Sequence, residues 1–158
     1  MAWYTRDKRI SEFAVKKTVK LFQMNGIGCR TVDAKGYDIV LDDGRKIEVK
    51  FDTWIGSTGN ISAEWWVDEE KRTPGWAQYS DADILVYMYD FDNAYVVDMQ
   101  RLKQYIYEHY NELRAHAKKA YKKGAVNLMV HISRIPELRL KEFEDIFRKH
   151  AVLNQRDC

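Results

Sequence analysis

Two acidic residues and a lysine in the first third of the chain have the types and spacing of a metal-dependent hydrolytic site. Nine residues separate Asp38 from Glu48, and Lys50 lies two positions further on. Neighbouring carboxylates repel one another unless a positive group lies between them. Mg²⁺ is suited to lie between two carboxylates because it takes oxygen ligands and typically uses one or two carboxylates together with substrate phosphates. Since a lysine beside them can orient or help deprotonate a water, or neutralise charge on a phosphoryl oxygen, the three residues predict metal-assisted hydrolysis of a phosphodiester.

A β-hairpin is predicted to bring the two carboxylates together. Strand patterns at residues 37–41 and 46–52 flank the sequence Asp-Asp-Gly at positions 42–44. That sequence suits a type I turn followed by a left-handed glycine, which closes a three-residue loop. Such a loop pairs residues whose numbers sum to 86, so we expect Asp38 directly opposite Glu48.

Side-chain alternation predicts which face of the hairpin carries the site. Glu48 and Lys50 project from the face that carries Asp38, and the intervening apolar residues project from the other face. The backbone carbonyl of Val49 lies between the two acidic side chains and is a further candidate ligand. The alternative is a solvated polar face on which Lys50 simply pairs with Glu48.

The elements around this hairpin predict a mixed α/β domain. A helical period runs from about residue 6 to residue 24 and stops at an Asn-Gly pair. A third strand is expected at residues 61–67, and a short helix at residues 73–79 with Thr at its cap and Pro at its first position. Residues 82–89 are apolar on both faces, as in a central strand that is covered on both sides.

A mainly helical C-terminal part is predicted to follow. Residues 95–97 continue the sheet, and Asp98 caps a long helix that Gly124 ends. One more strand is expected at residues 126–132, and a last helix at residues 140–150. The expected architecture is a mixed central sheet flanked by helices, with a helical C-terminal extension.

The spacing of the candidate residues resembles the PD-(D/E)xK signature of the restriction-endonuclease-like nuclease superfamily. The matching positions are Asp38, nine intervening residues, and then Glu48-Val49-Lys50. Tyr37 stands where the motif name has proline.

The order of the predicted elements extends this resemblance over about residues 6–98. A helix is followed by a strand meander that carries the acids, a second helix and an apolar strand. The resemblance implies that Asp38 and Glu48 bind Mg²⁺, for which Mn²⁺ can substitute, and that Lys50 assists catalysis. It implies DNA as the substrate, and residues 99–158 lie outside it.

Two further carboxylates are candidates for the same site. Glu12 lies in the first predicted helix, and some members of the superfamily add an acidic residue from that helix. Glu64 lies on the third predicted strand, close to the predicted site, where it is a candidate metal or water ligand. The alternatives are a solvent-facing helical glutamate for Glu12 and an exposed strand residue for Glu64.

Charge is divided unevenly along the chain. Residues 1–98 carry 13 basic and 17 acidic side chains, whereas residues 99–158 carry 13 basic and 7 acidic side chains. This division suits a metal-binding part beside a phosphate-binding part, although exposed helices are also simply rich in lysine. The candidate nucleic-acid contact is a cluster of lysines near the end of the long predicted helix, where positive charge also offsets the helix dipole. Its members are Lys118, Lys119, Lys122 and Lys123.

Four tryptophans bracket the predicted site in the sequence. Their rings can stack on nucleic-acid bases, but tryptophans also pack in cores and interfaces, and the sequence leaves both interpretations open. They are Trp54, Trp65, Trp66 and Trp76.

Length and composition exclude several classes of protein. A chain of 158 residues favours one domain, here residues 1–158, and 46% hydrophobic residues exclude a disordered chain. The longest apolar run, residues 84–89, is too short to span a bilayer. Two cysteines are too few for a disulfide framework or a cysteine zinc site. No secretion signal is recognisable at the start, so we expect a cytoplasmic protein in a reducing compartment.

These features together predict a metal-dependent DNA endonuclease. The resemblance implies one of phage type or one selective for the structure of its DNA. The alternative is a non-catalytic nucleic-acid-binding or assembly module on the same fold, and a plain protein-interaction domain is the third interpretation. Cutting both strands of a duplex would favour a symmetric homodimer. No membrane partner is expected.

Overall fold

Two β-sheets and six α-helices make up the part of the chain that the computed structural model describes, residues 2–53, 55–119 and 124–156. The helices are α1 (Ala2–Met24), α2 (Ile55–Thr58), α3 (Trp76–Tyr79), α4 (Met99–Glu108), α5 (Tyr110–Ala115) and α6 (Lys141–Arg156). The strands are β1 (Cys29–Ala34), β2 (Tyr37–Leu41), β3 (Lys46–Phe51), β4 (Asn60–Asp68), β5 (Thr73–Pro74), β6 (Ile84–Met88), β7 (Ala94–Asp98), β8 (Lys118–Lys119) and β9 (Val126–His131).

The first sheet has five strands in the order β1-β2-β3-β6-β7. β3 and β6 run parallel, and the other neighbours are antiparallel, so the sheet is mixed. The second sheet is antiparallel, in the order β5-β4-β9-β8. The expected α/β class with a mixed sheet and flanking helices is confirmed.

Two cores cover the two faces of the first sheet. On one face, α1 and α6 pack with Phe22 and Phe147 among the buried side chains. On the other face, the second sheet packs together with α3, α4 and α5. β6 is buried at all five positions, and Val86 faces the first core while Leu85 and Tyr87 face the second. The prediction of a central strand covered on both sides is therefore confirmed.

The hairpin that carries the candidate residues has the predicted register. Gly44 adopts a φ of 92°, and its amide donates to the carbonyl oxygen of Leu41 at 2.9 Å. Val40 pairs with Lys46, and the next pair away from the turn is Ile39 with Ile47. The paired numbers sum to 86, as the loop length requires.

The meander before β6 differs from the prediction. β1, which the sequence did not predict, pairs with β2, so the meander consists of β1, β2 and β3. The strand expected at residues 61–67 exists as β4, but it lies in the second sheet. There its neighbour is β9 rather than the hairpin. Ile61 pairs with Val130, and Ala63 pairs with Leu128.

The prediction of one long helix that ends at Gly124 is wrong in the length of that helix. Asp98 does cap α4, since its carboxylate accepts a hydrogen bond of 3.0 Å from the amide of Arg101. The helix breaks at His109, which has φ −115° and ψ 18°, and α5 ends at Ala115. The chain then forms the short strand β8, which pairs with β9.

Two helix boundaries also differ from the prediction. The Thr-Pro pair expected to begin a helix forms β5, and the N-cap of α3 is Gly75. The last helix extends beyond residue 150, through Arg156. Across the described part of the chain, no helix is long and apolar enough to cross a membrane.

Candidate active site

A cavity of about 360 Å³ opens between α1 and the first three strands. α1 contributes Glu12 and Lys16 to its wall, and β2 contributes Asp38. β3 contributes three consecutive residues, from Glu48 to Lys50. The structure therefore brings together all the residues of the predicted motif and one of the two additional carboxylates.

Asp38 is held at the point where the pairing of β2 with β3 ends. It lies one residue beyond the last paired residue, Ile39, so Asp38 and Glu48 are not themselves a ladder pair. The amide of Val49 donates a hydrogen bond of 2.8 Å to Oδ2 of Asp38. Because the N–H and C=O of one strand residue point to the same neighbouring strand, the carbonyl of Val49 points toward β2 as well.

Glu48 is the most deeply buried acid of the cavity, with 7% of its surface exposed. The ammonium Nζ of Lys50 lies 3.2 Å from Oε1 of Glu48. Burial raises the pKa of Glu48, against the opposing effect of Lys50, and the charge of Asp38 raises it further. One cation is therefore not enough to offset the cost of burying this charge.

The pKa of Asp38 is shifted in the same direction. Burial raises it, while the hydrogen bond from Val49 and the charge of Lys50 lower it by less. Two neighbouring carboxylates with raised pKa values form a site that an additional positive charge would stabilise.

Lys50 is positioned between an acid and an aromatic ring. Its side chain is 33% exposed, and Nζ lies 5.1 Å from the ring centroid of Trp76 as well as close to Glu48. The ring face attracts the ammonium group, so two contacts hold Lys50 in position.

The donor set of the cavity fits a hard divalent cation. Within the described residues, no group of three or more His, Cys, Asp and Glu side chains could hold a metal ion by itself. Mg²⁺ does not need such a cage, since it keeps several waters and binds through one or two carboxylates and substrate phosphates. Asp38, Glu48 and the Val49 carbonyl supply ligands of that kind.

The two additional acidic candidates have different positions. Glu12 is exposed and lines the cavity from α1. Glu64 lies on β4 in the second sheet and is not among the residues that line the cavity.

Two residues at this site were missed by the sequence analysis. Lys16 lines the cavity one helical turn beyond Glu12, and the i, i+4 spacing could have indicated it. Burial, followed by the charges of Glu48, Glu64 and Asp38, raises the pKa of Tyr79. Tyr79 belongs to α3, outside both the hairpin and α1, so no local pattern could have indicated it.

The predicted basic cluster is only partly described. The backbone of Lys118 and Lys119 forms β8 rather than the end of a helix, whereas Lys122 and Lys123 lie outside the described residues. Arginines of the same C-terminal part are paired with acids at 2.8–3.1 Å. These ion pairs are Arg114 with Glu69, Arg134 with Glu112, Arg139 with Glu144, and Arg148 with Asp145.

The tryptophans serve mainly in packing. Trp65 and Trp76 are buried in the core between the sheets, and Trp66 packs against that core. Trp54 lies outside the described residues.

No protein-family model matches the sequence, and no curated protein matches it significantly. The function of this chain must therefore be inferred from the geometry of the site.

Proposed function

We propose that the protein is a Mg²⁺-dependent nuclease that hydrolyses phosphodiester bonds of DNA. The observation that carries this proposal is the convergence of Asp38, Glu48 and Lys50 on one cavity, with Glu48 buried, Asp38 half-buried and Nζ of Lys50 3.2 Å from Glu48. Carboxylates serve as ligands of a hard cation, and an adjacent lysine serves the reacting phosphate.

Each residue has a separate part in the proposed reaction. Asp38, Glu48 and the carbonyl of Val49 would hold Mg²⁺, for which Mn²⁺ can substitute. When bound, the metal polarises the phosphoryl oxygen and lowers the pKa of a coordinated water. Lys50 orients the attacking water and neutralises negative charge that builds on the phosphoryl oxygen.

The order of the elements supports the same proposal. α1 precedes three antiparallel strands, of which the second carries Asp38 and the third carries Glu48 and Lys50. The apolar strand β6 then lies parallel to β3. This is the order that the resemblance to restriction-endonuclease-like nucleases implies, although β4 and β5 are inserted between β3 and β6.

DNA is the proposed substrate because the resemblance to restriction-endonuclease-like nucleases implies it. Lys16 and Lys50 line the cavity beside its three acids, and their positive charge suits a substrate that carries phosphates. Cutting both strands of a duplex would favour a symmetric dimer, in which each copy of the cavity acts on one strand.

A cleavage assay tests the proposal. The wild type and Lys50→Ala are incubated with supercoiled, linear, single-stranded and branched DNA in Mg²⁺, Mn²⁺ or EDTA. We expect cutting with either metal, none in EDTA, and a loss of about 100-fold or more in Lys50→Ala. Lys46→Ala is the matched control because Lys46 lies on the same strand, pairs with Asp81 at 3.0 Å and does not line the cavity.

The outcomes separate the proposed nuclease from its alternatives. Salt-dependent DNA binding without cutting in any metal would favour a non-catalytic binding module. Equal cutting by the wild type and Lys50→Ala would refute the proposed site.

A further inference from the structure

A second cavity, which shares no lining residue with the first, is lined by aromatic rings. Its volume is about 560 Å³, which lies within the range of small-molecule sites. Trp65 and Trp66 of β4 form one side, and Tyr107 and Tyr110 at the junction of α4 with α5 form the other. We call this cavity the aromatic cleft.

The rings of the aromatic cleft are braced against one another. Tyr107 meets Trp65 edge to face with 5.0 Å between ring centroids, and Tyr110 lies 6.2 Å from Trp65. The indole N–H of Trp66 donates to the hydroxyl of Tyr110 at 3.3 Å. Tyr107 nevertheless remains 64% exposed. A large, fixed and solvent-exposed ring is suited to stacking against a planar ligand.

The polar groups of the cleft suit a neutral base better than a phosphate. No lysine or arginine is among the described residues that line it. Of its two glutamates, Glu112 is paired with Arg134 at 2.8 Å, and Glu108 accepts a hydrogen bond of 3.2 Å from the side-chain amide of Gln104. The amides of Gln78 and Asn111 also line the cleft and offer donors and acceptors to the edge of a base. The amide nitrogen of Gln78 donates to the carbonyl oxygen of Trp65, which fixes its orientation.

The aromatic cleft is linked through α3 to the cavity that holds Asp38 and Glu48, which we call the acidic cavity. Lys50 lines the acidic cavity, and its Nζ lies 5.1 Å from the ring of Trp76 at the start of α3. Two residues later, Gln78 lines the cleft. Because Trp76 and Gln78 lie within one helical turn, about 5.4 Å long, we expect one nucleic-acid strand to be able to contact both cavities.

We propose that the aromatic cleft stacks an unpaired base of the DNA strand whose phosphate enters the acidic cavity. This inference rests on the proposed nuclease function and narrows its substrate class. A base inside a continuous duplex is stacked on its neighbours, so the cleft selects DNA with a single-stranded segment. A cationic peptide is the rival occupant, because aromatic faces and carboxylates also attract cations.

The test measures binding without cleavage. Fluorescence anisotropy in EDTA gives the dissociation constants of the intact protein for three probes of equal length: a single strand, its blunt duplex, and the same strand with abasic sites. The abasic strand keeps the phosphates and removes the bases. We expect the intact single strand to bind about tenfold more tightly than either other probe.

Substitution of the exposed ring locates the effect. Tyr107→Ala is expected to weaken binding of the intact single strand about tenfold and to leave binding of the abasic strand unchanged, whereas Tyr107→Phe keeps the ring and the affinity. Phe91→Ala is the control, since Phe91 is also an exposed aromatic residue but lines neither cavity. Circular dichroism checks that each variant is folded.

Each result decides the inference separately from the nuclease proposal. Equal affinities for the intact and abasic strands, or no effect of Tyr107→Ala, would overturn base stacking even if the wild type cuts DNA. Base-dependent binding lost in Tyr107→Ala would support stacking even if no metal promotes cutting. A trimethyl-lysine peptide that binds through Tyr107, while the single strand does not, would assign the cleft to a cation instead.

Discussion

The backbone amide of Val49 donates a hydrogen bond of 2.8 Å to Oδ2 of Asp38, one residue beyond the last paired position of β2. One carboxylate thus has two uses. It closes the hairpin at the cavity through one oxygen, and in the proposed site its other oxygen would bind the cation. Because of this contact, the structural role of Asp38 can be tested separately from its proposed role in metal binding.

Two substitutions of Asp38 are expected to have different effects on stability. Asn retains an oxygen that can accept from Val49, so Asp38→Asn is expected to fold almost as stably as the wild type. Asp38→Ala leaves the buried amide of Val49 without its partner, which costs about 1–3 kcal/mol. Urea denaturation at pH 7 in EDTA measures the free energy of unfolding, and equal losses in both variants would contradict this account of the contact.

Glu48 is expected to make the metal-free protein less stable as the pH rises. Burial raises its pKa above the ordinary value of 4.5, so the folded state binds this proton more tightly than the unfolded state. Stability from this group is therefore complete below pH 4.5 and is lost as the pH rises through the higher folded value. Asp38, whose pKa is also raised, contributes in the same direction.

Glu48→Gln isolates this effect because it removes the titrating group. In EDTA at pH 7 the variant is expected to be more stable than the wild type, and the difference should shrink as the pH falls toward 4.5. Urea denaturation at a series of pH values measures it. A difference that does not change with pH would show that burial of the charge is not the cause.

Removal of Lys50 is expected to separate metal binding from catalysis. Its Nζ lies 3.2 Å from Glu48 and repels a cation bound there. Lys50→Ala should therefore bind Mg²⁺ more tightly than the wild type in calorimetric titration, although it cuts DNA about 100-fold more slowly or worse. If the variant loses its affinity for Mg²⁺ instead, Lys50 supports the ligands and not the reaction.

The two additional acids are expected to differ in importance. Glu12 lines the cavity and Glu64 does not, so Glu12→Gln should lower the rate of metal-dependent cleavage about tenfold while Glu64→Gln has little effect. Cleavage rates over a range of Mg²⁺ concentrations measure both variants. A larger loss in Glu64→Gln would place the substrate on the side of the second sheet.

Local chemistry explains which parts of the fold could be predicted. The turn that ends at Gly44 sets the hairpin register by itself, and the pairing of Ile39 with Ile47 followed from the length of its loop. The pairing of Ile61 with Val130 depends on residues far apart in the chain, so no window of sequence indicated the second sheet. β1 was missed because four of its six residues are exposed and it lacks an alternating apolar pattern.

Local sequence patterns also failed to indicate the helix break at His109 and one residue near the site. No proline or glycine lies between Asp98 and Gly124, and the apolar stripe continues across His109, so nothing in the sequence marked the break. The motif residues could be found because their spacing follows the alternation of one hairpin. Tyr79 could not, because it belongs to α3, which packs against β4 and β5 of the second sheet and lies outside the hairpin.

The most direct test of the central claim is cleavage of DNA by the wild type and Asp38→Asn, measured side by side in Mg²⁺ and in EDTA. Asp38→Asn keeps the fold and the hydrogen bond from Val49 but removes one charged ligand. The account predicts cutting by the wild type in Mg²⁺ alone and a loss of at least about 100-fold in the folded variant. Equal cutting by both proteins, cutting in EDTA, or no cutting by the wild type on any DNA substrate would contradict it.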